Sequence, residues 1–296
     1  MACPGPVGVV GVGNMGGAMA KRLIGLGWSV QVCDIDASRT AALHALGAGV
    51  HTHAADLARS SAVVIVCVVD AQQVDAVLSG EQGLLAGLLP GQVVWVCPTL
   101  APSQTMALAN RLQAQGVQVL EAPMSGGPVR ALDGSMSLML AAPDALVQSQ
   151  QALLDALSNQ VVRISHQVGD GARAKLVNNL LAAIHLVGVS EALLLAQRMG
   201  LDPAKALSVM ACSSGQSWIA SDRMPRALAG DNQVHAHMAL LGKDTALAMQ
   251  AAQEVGFVGL LGPLAAATFA QACDQGWAGR DDAAMLAFLR TRLSEV

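Results

Sequence analysis

Gly11, Gly13 and Gly16 form a G-x-G-x-x-G within Val9-Val10-Gly11-Val12-Gly13-Asn14-Met15-Gly16. A β-branched run ends just before it and a helical period begins just after it. In that setting the first glycine permits a tight turn, the second lets backbone approach a pyrophosphate, and the third lets the helix pack closely on the strand. Asn14 and Met15 then open a helix whose first N–H groups favour an anion. The spacing alone is weak in a chain with 30 glycines; its place on the first strand of a repeating strand–helix pattern makes it a dinucleotide site. The next strand ends at Asp34, about twenty residues on, where a carboxylate can bind both ribose hydroxyls and repel a 2′-phosphate. That favours NAD over NADP. Capping of the following turn by Asp34 or Asp36, and a 2′-phosphate on Arg39, remain the alternatives.

A second constellation opens a long helical stretch, GARAKLVNN. Lys175 and Asn179 are four residues apart and share a helix face, with Asn178 beside them. A lysine on a helix is ordinarily solvated, but this one sits among Ala174, Leu176, Val177 and Leu180. Partial desolvation at a domain junction lowers a lysine pKa and suits it to exchange a proton with a hydroxyl, while an adjacent amide holds that hydroxyl. A third segment, Glu121-Ala122-Pro123-Met124-Ser125-Gly126-Gly127-Pro128, follows a strand. Ser125, Gly126 and Gly127 offer a hydroxyl and backbone N–H groups to a carboxylate, or simply make a turn.

The elements that must position these groups alternate through the first half. Strands are predicted over 7–12, 29–33, 63–68, 92–96, 117–121, 136–140 and 161–164, with helices over 15–26, 38–46, 71–78, 102–113 and 145–157. This is the βαβ pattern of a parallel sheet. Runs such as 63–68 are apolar throughout, as expected of strands covered on both faces. Beyond about 166 the period is helical only: 176–197, 203–210, 238–255, 260–274 and 282–293. The expected fold is α/β, with a Rossmann-type domain over 1–165 and an all-helical domain over 166–296. Helices apolar on more than one side need cover, so a homodimer or homotetramer through the helical half is expected.

Composition narrows the function further. The chain has 296 residues, 53% hydrophobic and 13% charged, with a formal net charge of −4. It is a core-rich globular chain, without a basic field for nucleic acid or an anionic membrane. Its longest unbroken apolar run, 62–69, is far shorter than a bilayer span. Aromatics are 2%, too few for base-stacking platforms. The six cysteines, Cys3, Cys33, Cys67, Cys97, Cys212 and Cys273, form no CxxC; they read as reduced thiols in a cytoplasmic protein. Pairs such as His51/His53 and His235/His237 lack a third metal ligand at suitable spacing, so no metal is expected. Cys212 lacks a base partner for nucleophilic work.

Taken together, GVGNMGGAMA, Cys97-Pro98-Thr99, APMSGGPVRALDGSMSLML, GARAKLVNN and Lys243-Asp244 resemble the β-hydroxyacid dehydrogenases, relatives of 3-hydroxyisobutyrate dehydrogenase, tartronate semialdehyde reductase and the short glyoxylate reductases. The likeness spans essentially the whole chain. It implies Lys175 as general acid/base, Asn179 as a substrate-positioning group, and Ser125–Gly127 as the site for the substrate carboxylate. It also implies Val69 and Thr99 at the cofactor, with Lys243 closing over it and Asp244 beside. Many members carry an aromatic residue before Lys-Asp, where this chain has His235-Ala236-His237-Met238. Segments such as Val69-Asp70-Ala71-Gln72-Gln73-Val74 and Gly215-Gln216-Ser217-Trp218, with Arg223 and Asp281-Asp282, resemble the L-threonate dehydrogenase branch. Polar groups such as Arg223 and His235 would suit the extra hydroxyls of a sugar acid. The expectation is NAD-dependent oxidation of a small hydroxy acid, L-threonate or a related sugar acid. The alternatives are 3-hydroxyisobutyrate oxidation, tartronate semialdehyde or glyoxylate reduction, and a catalytically silent dinucleotide-binding module.

Overall fold

The computed structural model describes residues 5–293; Cys3 lies outside them. The chain divides into two compact units, Met1–Lys175 and Leu176–Val296. The first runs β1 (Val7–Val10), α1 (Asn14–Gly25), β2 (Val30–Cys33), α2 (Ala37–His44), β3 (Gly49–Val50), α3 (Ala54–Arg59), β4 (Val63–Val66), α4 (Ala71–Leu78), β5 (Val93–Val96) and α5 (Pro102–Gln113). It continues through β6 (Gln118–Glu121), β7 (Met124–Ser125), α6 (Gly127–Asp133), β8 (Ser137–Ala141), α7 (Asp144–Ser149), α8 (Gln151–Leu157) and β9 (Gln160–Ser165). Helix α9 (Asp170–Arg198) begins in this unit and continues in the second.

The strands lie in the order β3-β2-β1-β4-β5-β6, all parallel. Strands β1, β4 and β5 are buried along their whole length. The pleat sends alternate residues to opposite faces. Val7, Val9, Ile65 and Trp95 pack with Met19 and Leu23 of α1 on one face. Val10, Val64, Val66 and Val94 pack with Leu57, Leu108 and Leu112 on the other.

The sheet departs from the all-parallel expectation after β6. Strand β8 runs antiparallel to β6 and β7 and parallel to β9. The chain returns through the two-residue β7 and one short helix, without the long crossover a parallel return requires. The short β3, α3 and β7 are invisible to periodicity, being too brief to repeat. The single helix expected over 145–157 is two, interrupted at Gln150 (φ −99°, ψ 4°). Gln150 Oε1 accepts the indole N–H of fully buried Trp95 at 3.2 Å.

In the second unit, α9 is followed by α10 (Pro203–Ala211), α11 (Trp218–Ala229), α12 (Met238–Glu254), α13 (Leu261–Ala272) and α14 (Met285–Leu293). They enclose Leu186, Leu193, Met224, Met238, Phe269 and Phe288. Pro225 hides α11 from a sequence reading, since an interior proline normally breaks a helix. The helix is held by Ser217, which accepts the Ala220 N–H, and ends at Gly230 with φ 70°. By length and composition α9 is apolar enough to cross a bilayer, with an 18-residue window of mean hydropathy 1.8. Here Ala183, Leu186, Leu193 and Leu194 of that window are buried in the helical core.

A buried charge network holds the approach to α12. Arg223 grips Asp282 with Nε–Oδ1 at 2.7 Å and Nη2–Oδ2 at 3.3 Å, and Arg226 Nη1 meets Asp281 Oδ1 at 3.0 Å. The other Asp281 oxygen accepts the backbone N–H groups of His235 and Ala236 at 2.7 and 3.0 Å. Arg223 is therefore buried and paired, not a cation turned toward a substrate or the solvent. Breaking such a pair from one side strands a charge, at a cost of about 3–5 kcal/mol. Burial pushes the Asp282 carboxyl up to about 6 even beside Arg223. A carboxyl raised in the fold favours folding at acid pH, and that contribution is lost as pH rises through the folded value. Arg223→Met raises it further, so its urea midpoint should fall markedly at pH 8 and less at pH 5. The double variant Arg223→Met/Asp282→Leu should recover most of the loss. Equal midpoints for Arg223→Met and the parent chain at pH 8 would contradict this account.

Candidate active site

The turn after β1 is shaped by close approach. Gly11 has φ +85°, and a β-carbon there would meet the Cys67 carbonyl at 2.7 Å. A β-carbon on Gly16 would stand 2.0 Å from the Gly11 carbonyl oxygen. Helix α1 starts at Asn14 with Gly13 as its N-cap, without a side-chain cap or an acidic residue in its first turn. No acidic side chain of that turn offsets its positive end, which suits a pyrophosphate. These glycines lie at the carboxyl end of β1, where strand order reverses between β1 and β4; ligands of open α/β sheets bind at such a switch point. Val69 and Thr99 follow the carboxyl ends of β4 and β5 along the same edge, Val69 being 40% exposed.

Asp34 directly follows β2 and is engaged with backbone. Its Oδ2 accepts the Val12 N–H of the glycine turn at 2.7 Å, and its Oδ1 accepts the Asp36 N–H at 2.9 Å. The capping role belongs to Asp36, which accepts the Ser38 N–H at the start of α2. Arg39 Nε lies 3.2 Å from Asp36, and its Nη1 reaches within 3.1 Å of where a Gly13 β-carbon would stand.

A second group assembles around β7. Ser125 ends that strand, and Gly126 and Gly127 follow with φ +125° and +74°, conformations open to glycine. All three are partly exposed. Lys175 is 8% exposed, and its Nζ donates to the Met124 carbonyl at 2.6 Å. The fold therefore brings Lys175 to the residue preceding Ser125. Sequence reasoning passed over Glu121, which is buried on β6 and accepts the N–H groups of Gly169, Gly171 and Ala172 at the start of α9. Burial pushes its carboxyl up, against those three donors, which favour the anion. Hydrogen bonds to a charged group contribute about 1.5–3 kcal/mol each, and here the three donors offset part of the desolvation cost while burial prevails. The available signal was an acid closing an otherwise buried strand.

The third group lies in the helical unit. Asn179, 8% exposed, donates Nδ2–H to Asp244 Oδ2 at 2.6 Å and accepts from Asn178 at 3.0 Å. Lys243 Nζ stands 2.8 Å from Asp244 Oδ1, a charge contact whose angles do not make a hydrogen bond. Burial pushes the Cys67 thiol up to about 12, which removes it as a nucleophile. Among the described residues no three His, Cys, Asp or Glu gather as a metal site.

A Rossmann-type sheet with this glycine turn at its switch point defines a dinucleotide-binding fold. The family model described as the NAD binding domain of 6-phosphogluconate dehydrogenase matches residues 6–166. That described as NAD-binding of NADP-dependent 3-hydroxyisobutyrate dehydrogenase matches residues 169–289. The chain is 33% identical over 280 residues to an L-threonate dehydrogenase of Cupriavidus necator, covering 95% of this chain and 94% of the relative. It is 29% identical over 292 residues to the human mitochondrial 3-hydroxyisobutyrate dehydrogenase, covering 96% and 87%. A crystal structure of 3-hydroxyisobutyrate dehydrogenase from Salmonella typhimurium superposes with a TM-score of 0.89 at 31% identity, covering 96% of this chain and all of that one. The chain belongs to the β-hydroxyacid dehydrogenase family. Its activity is NAD(P)-dependent oxidoreduction at the CH–OH group of a hydroxy acid.

Gly16→Ala tests the cofactor turn. A methyl 2.0 Å from the Gly11 carbonyl must drive strand and helix apart. The expected result is loss of NAD binding by more than tenfold in a fluorescence titration, and wild-type affinity would refute the steric argument.

Proposed function

We propose that the chain oxidises a small hydroxy acid with NAD, the substrate being L-threonate or a related sugar acid. The observation that carries this reading is the buried Lys175 ammonium on the Met124 carbonyl, next to the open Ser125-Gly126-Gly127 turn. Ser125 and the N–H groups of Gly126 and Gly127 receive the substrate carboxylate. Neutral Lys175 takes the hydroxyl proton during oxidation, and the charged form returns it during reduction. Asn179, with its amide oriented by Asp244, holds that hydroxyl. NAD, when bound, supplies the nicotinamide carbon that accepts the hydride. Gly11, Gly13, Asn14, Met15 and Gly16 cradle its pyrophosphate, Asp34 meets the ribose, and Val69, Thr99, Lys243 and Asp244 complete the cofactor site.

Asp34 supports NAD over NADP. Arg39, beside Gly13, is the observation that favours the second reading, a 2′-phosphate site. Comparing kcat/KM for the two dinucleotides decides: a preference for NAD is expected, and a preference for NADP would overturn the assignment. L-threonate dehydrogenases at 33% identity support the sugar acid. Oxidation of 3-hydroxyisobutyrate, and reduction of tartronate semialdehyde or glyoxylate, are the neighbouring reactions to exclude.

The first unit carries the glycine turn for the dinucleotide together with the Ser125-Gly126-Gly127 turn and Lys175 for the substrate, and the helical unit supplies Asn179 for the substrate and the surface for assembly. Val255, Phe257, Val258, Leu260, Leu261 and Leu264 are each 59–90% exposed, an apolar run suited to a second copy in a homodimer or homotetramer. The free thiols at Cys33, Cys67, Cys97, Cys212 and Cys273 support a reducing, cytoplasmic setting.

Lys175→Ala should lower kcat by about 10²–10⁴-fold with NAD affinity retained; near-normal turnover would remove Lys175 from the mechanism. An NADH-formation screen over L-threonate, erythronate, glycerate, 3-hydroxyisobutyrate and 3-hydroxypropionate should give its highest kcat/KM with a polyhydroxylated acid. A clear lead for 3-hydroxyisobutyrate would replace the sugar acid and leave the family intact. Turnover of none of these, nor of tartronate semialdehyde or glyoxylate in reverse, with NAD bound, would favour a silent module.

A further inference from the structure

Glu121 closes β6 with 1% of its surface exposed, and hydride or proton transfer makes no direct use of it. Its Oε2 accepts the Gly169 and Gly171 N–H groups at 2.7 and 3.1 Å, and its Oε1 accepts the Ala172 N–H at 2.6 Å. These donors straddle the start of α9 at Asp170, where a helix has N–H groups with no partner of its own. The local backbone is shaped to the carboxylate. Gly169 has φ +105°, and a β-carbon on Gly171 would stand 2.8 Å from Glu121 Cδ and 3.0 Å from the Met139 carbonyl oxygen.

Three residues beyond Glu121, the Met124 carbonyl accepts Lys175 Nζ. The stretch 121–124 thus holds α9 at two points about one turn apart, once through a side chain and once through a carbonyl. The stretch is itself anchored to β8, through the pairings of Glu121 with Ala141 and Met124 with Leu138.

We propose that Glu121 is a positioning residue for Lys175: by gathering the first N–H groups of α9 it sets the register of the helix against β7, and so the place where the ammonium stands. The proposal rests on the role given to Lys175 above. A lysine reaches its target on four flexible carbons, so its working position depends on the helix beneath it. A misplacement of about 1 Å can cost on the order of 100-fold in rate. Glu121 touches none of the reacting atoms.

Three variants of the full chain test this. Glu121→Gln turns an amide NH2 toward backbone donors. Gly171→Ala displaces the carboxylate from the opposite side while leaving it present. Glu121→Asp keeps the charge on a shorter stem. Each is assayed with L-threonate, or with whichever acid of the screen is oxidised, for kcat, KM and the primary deuterium isotope effect; NAD affinity is read by fluorescence titration. Glu121→Gln and Gly171→Ala should each lower kcat by roughly 10- to 100-fold, with KM and NAD affinity within about threefold. The isotope effect should rise as the chemical step becomes limiting, and Glu121→Asp should recover part of the rate. If Glu121→Gln does not fold, Gly171→Ala decides on the same readings.

A folded Glu121→Gln, or failing it Gly171→Ala, with kcat within twofold of the parent overturns the proposal; an inactive Lys175→Ala beside it leaves the role of Lys175 standing. Equal losses of kcat and NAD affinity mark a general structural role and overturn it too. Full activity in Lys175→Ala overturns the assignment of Lys175, and with it the need for a residue to position it.

Discussion

The cofactor end of the sheet depends on one contact: the Gly11 carbonyl oxygen occupies the place where a side chain at residue 16 would begin. Helix α1 can lie against β1 at that distance because Gly16 lacks a β-carbon, while Gly11 lacks one where the Cys67 carbonyl approaches from the next strand end. The Asp34 carboxylate closes the arrangement from β2 by taking the Val12 N–H. The residue after the next strand out therefore helps shape the turn.

Away from the glycine turn, buried charge does the positioning. The chain is rich in alanine and leucine and nearly lacks aromatics, so its cores are built from small, similar side chains that fill space but specify little. Specific register comes from a few buried polar contacts: Glu121 on the first N–H groups of α9, Arg223 on Asp282, and Asp244 on Asn179. Each acid would be expensive to bury alone. Each instead meets donors fixed in backbone or in a neighbouring side chain, which leaves few alternative packings that keep these contacts. The same logic makes Arg223 a structural cation, although its residue type had suggested contact with a substrate.

Much of the fold was legible because its elements repeat. The apolar runs of β1, β4 and β5 and the helical periods between them mark a sheet covered on both faces, and the glycine spacing marks its ligand edge. What periodicity cannot register is anything shorter than its own repeat. The two-residue β7 carries Ser125, yet its sequence reads as a turn. Helix α11 was hidden by Pro225, whose ring normally argues against a helix interior, and the residue at the break between α7 and α8, Gln150, is bonded to a tryptophan more than fifty residues earlier in the chain.

Residue types and spacing were sufficient by themselves to place a glycine turn between the first strand and helix, to put Lys175 and Asn179 one turn apart on a single helix, and to mark the change from an α/β to a helical half. All of these are local, and helix or strand geometry converts a short spacing directly into a shared face. Tertiary structure alone decided that β8 runs against β6, that Lys175 rests on Met124, and that Glu121 caps α9 about fifty residues away. These contacts join segments whose individual sequences carry no trace of one another. They arise because a buried donor or acceptor must find its complement wherever the packed sheet and helices bring one within reach.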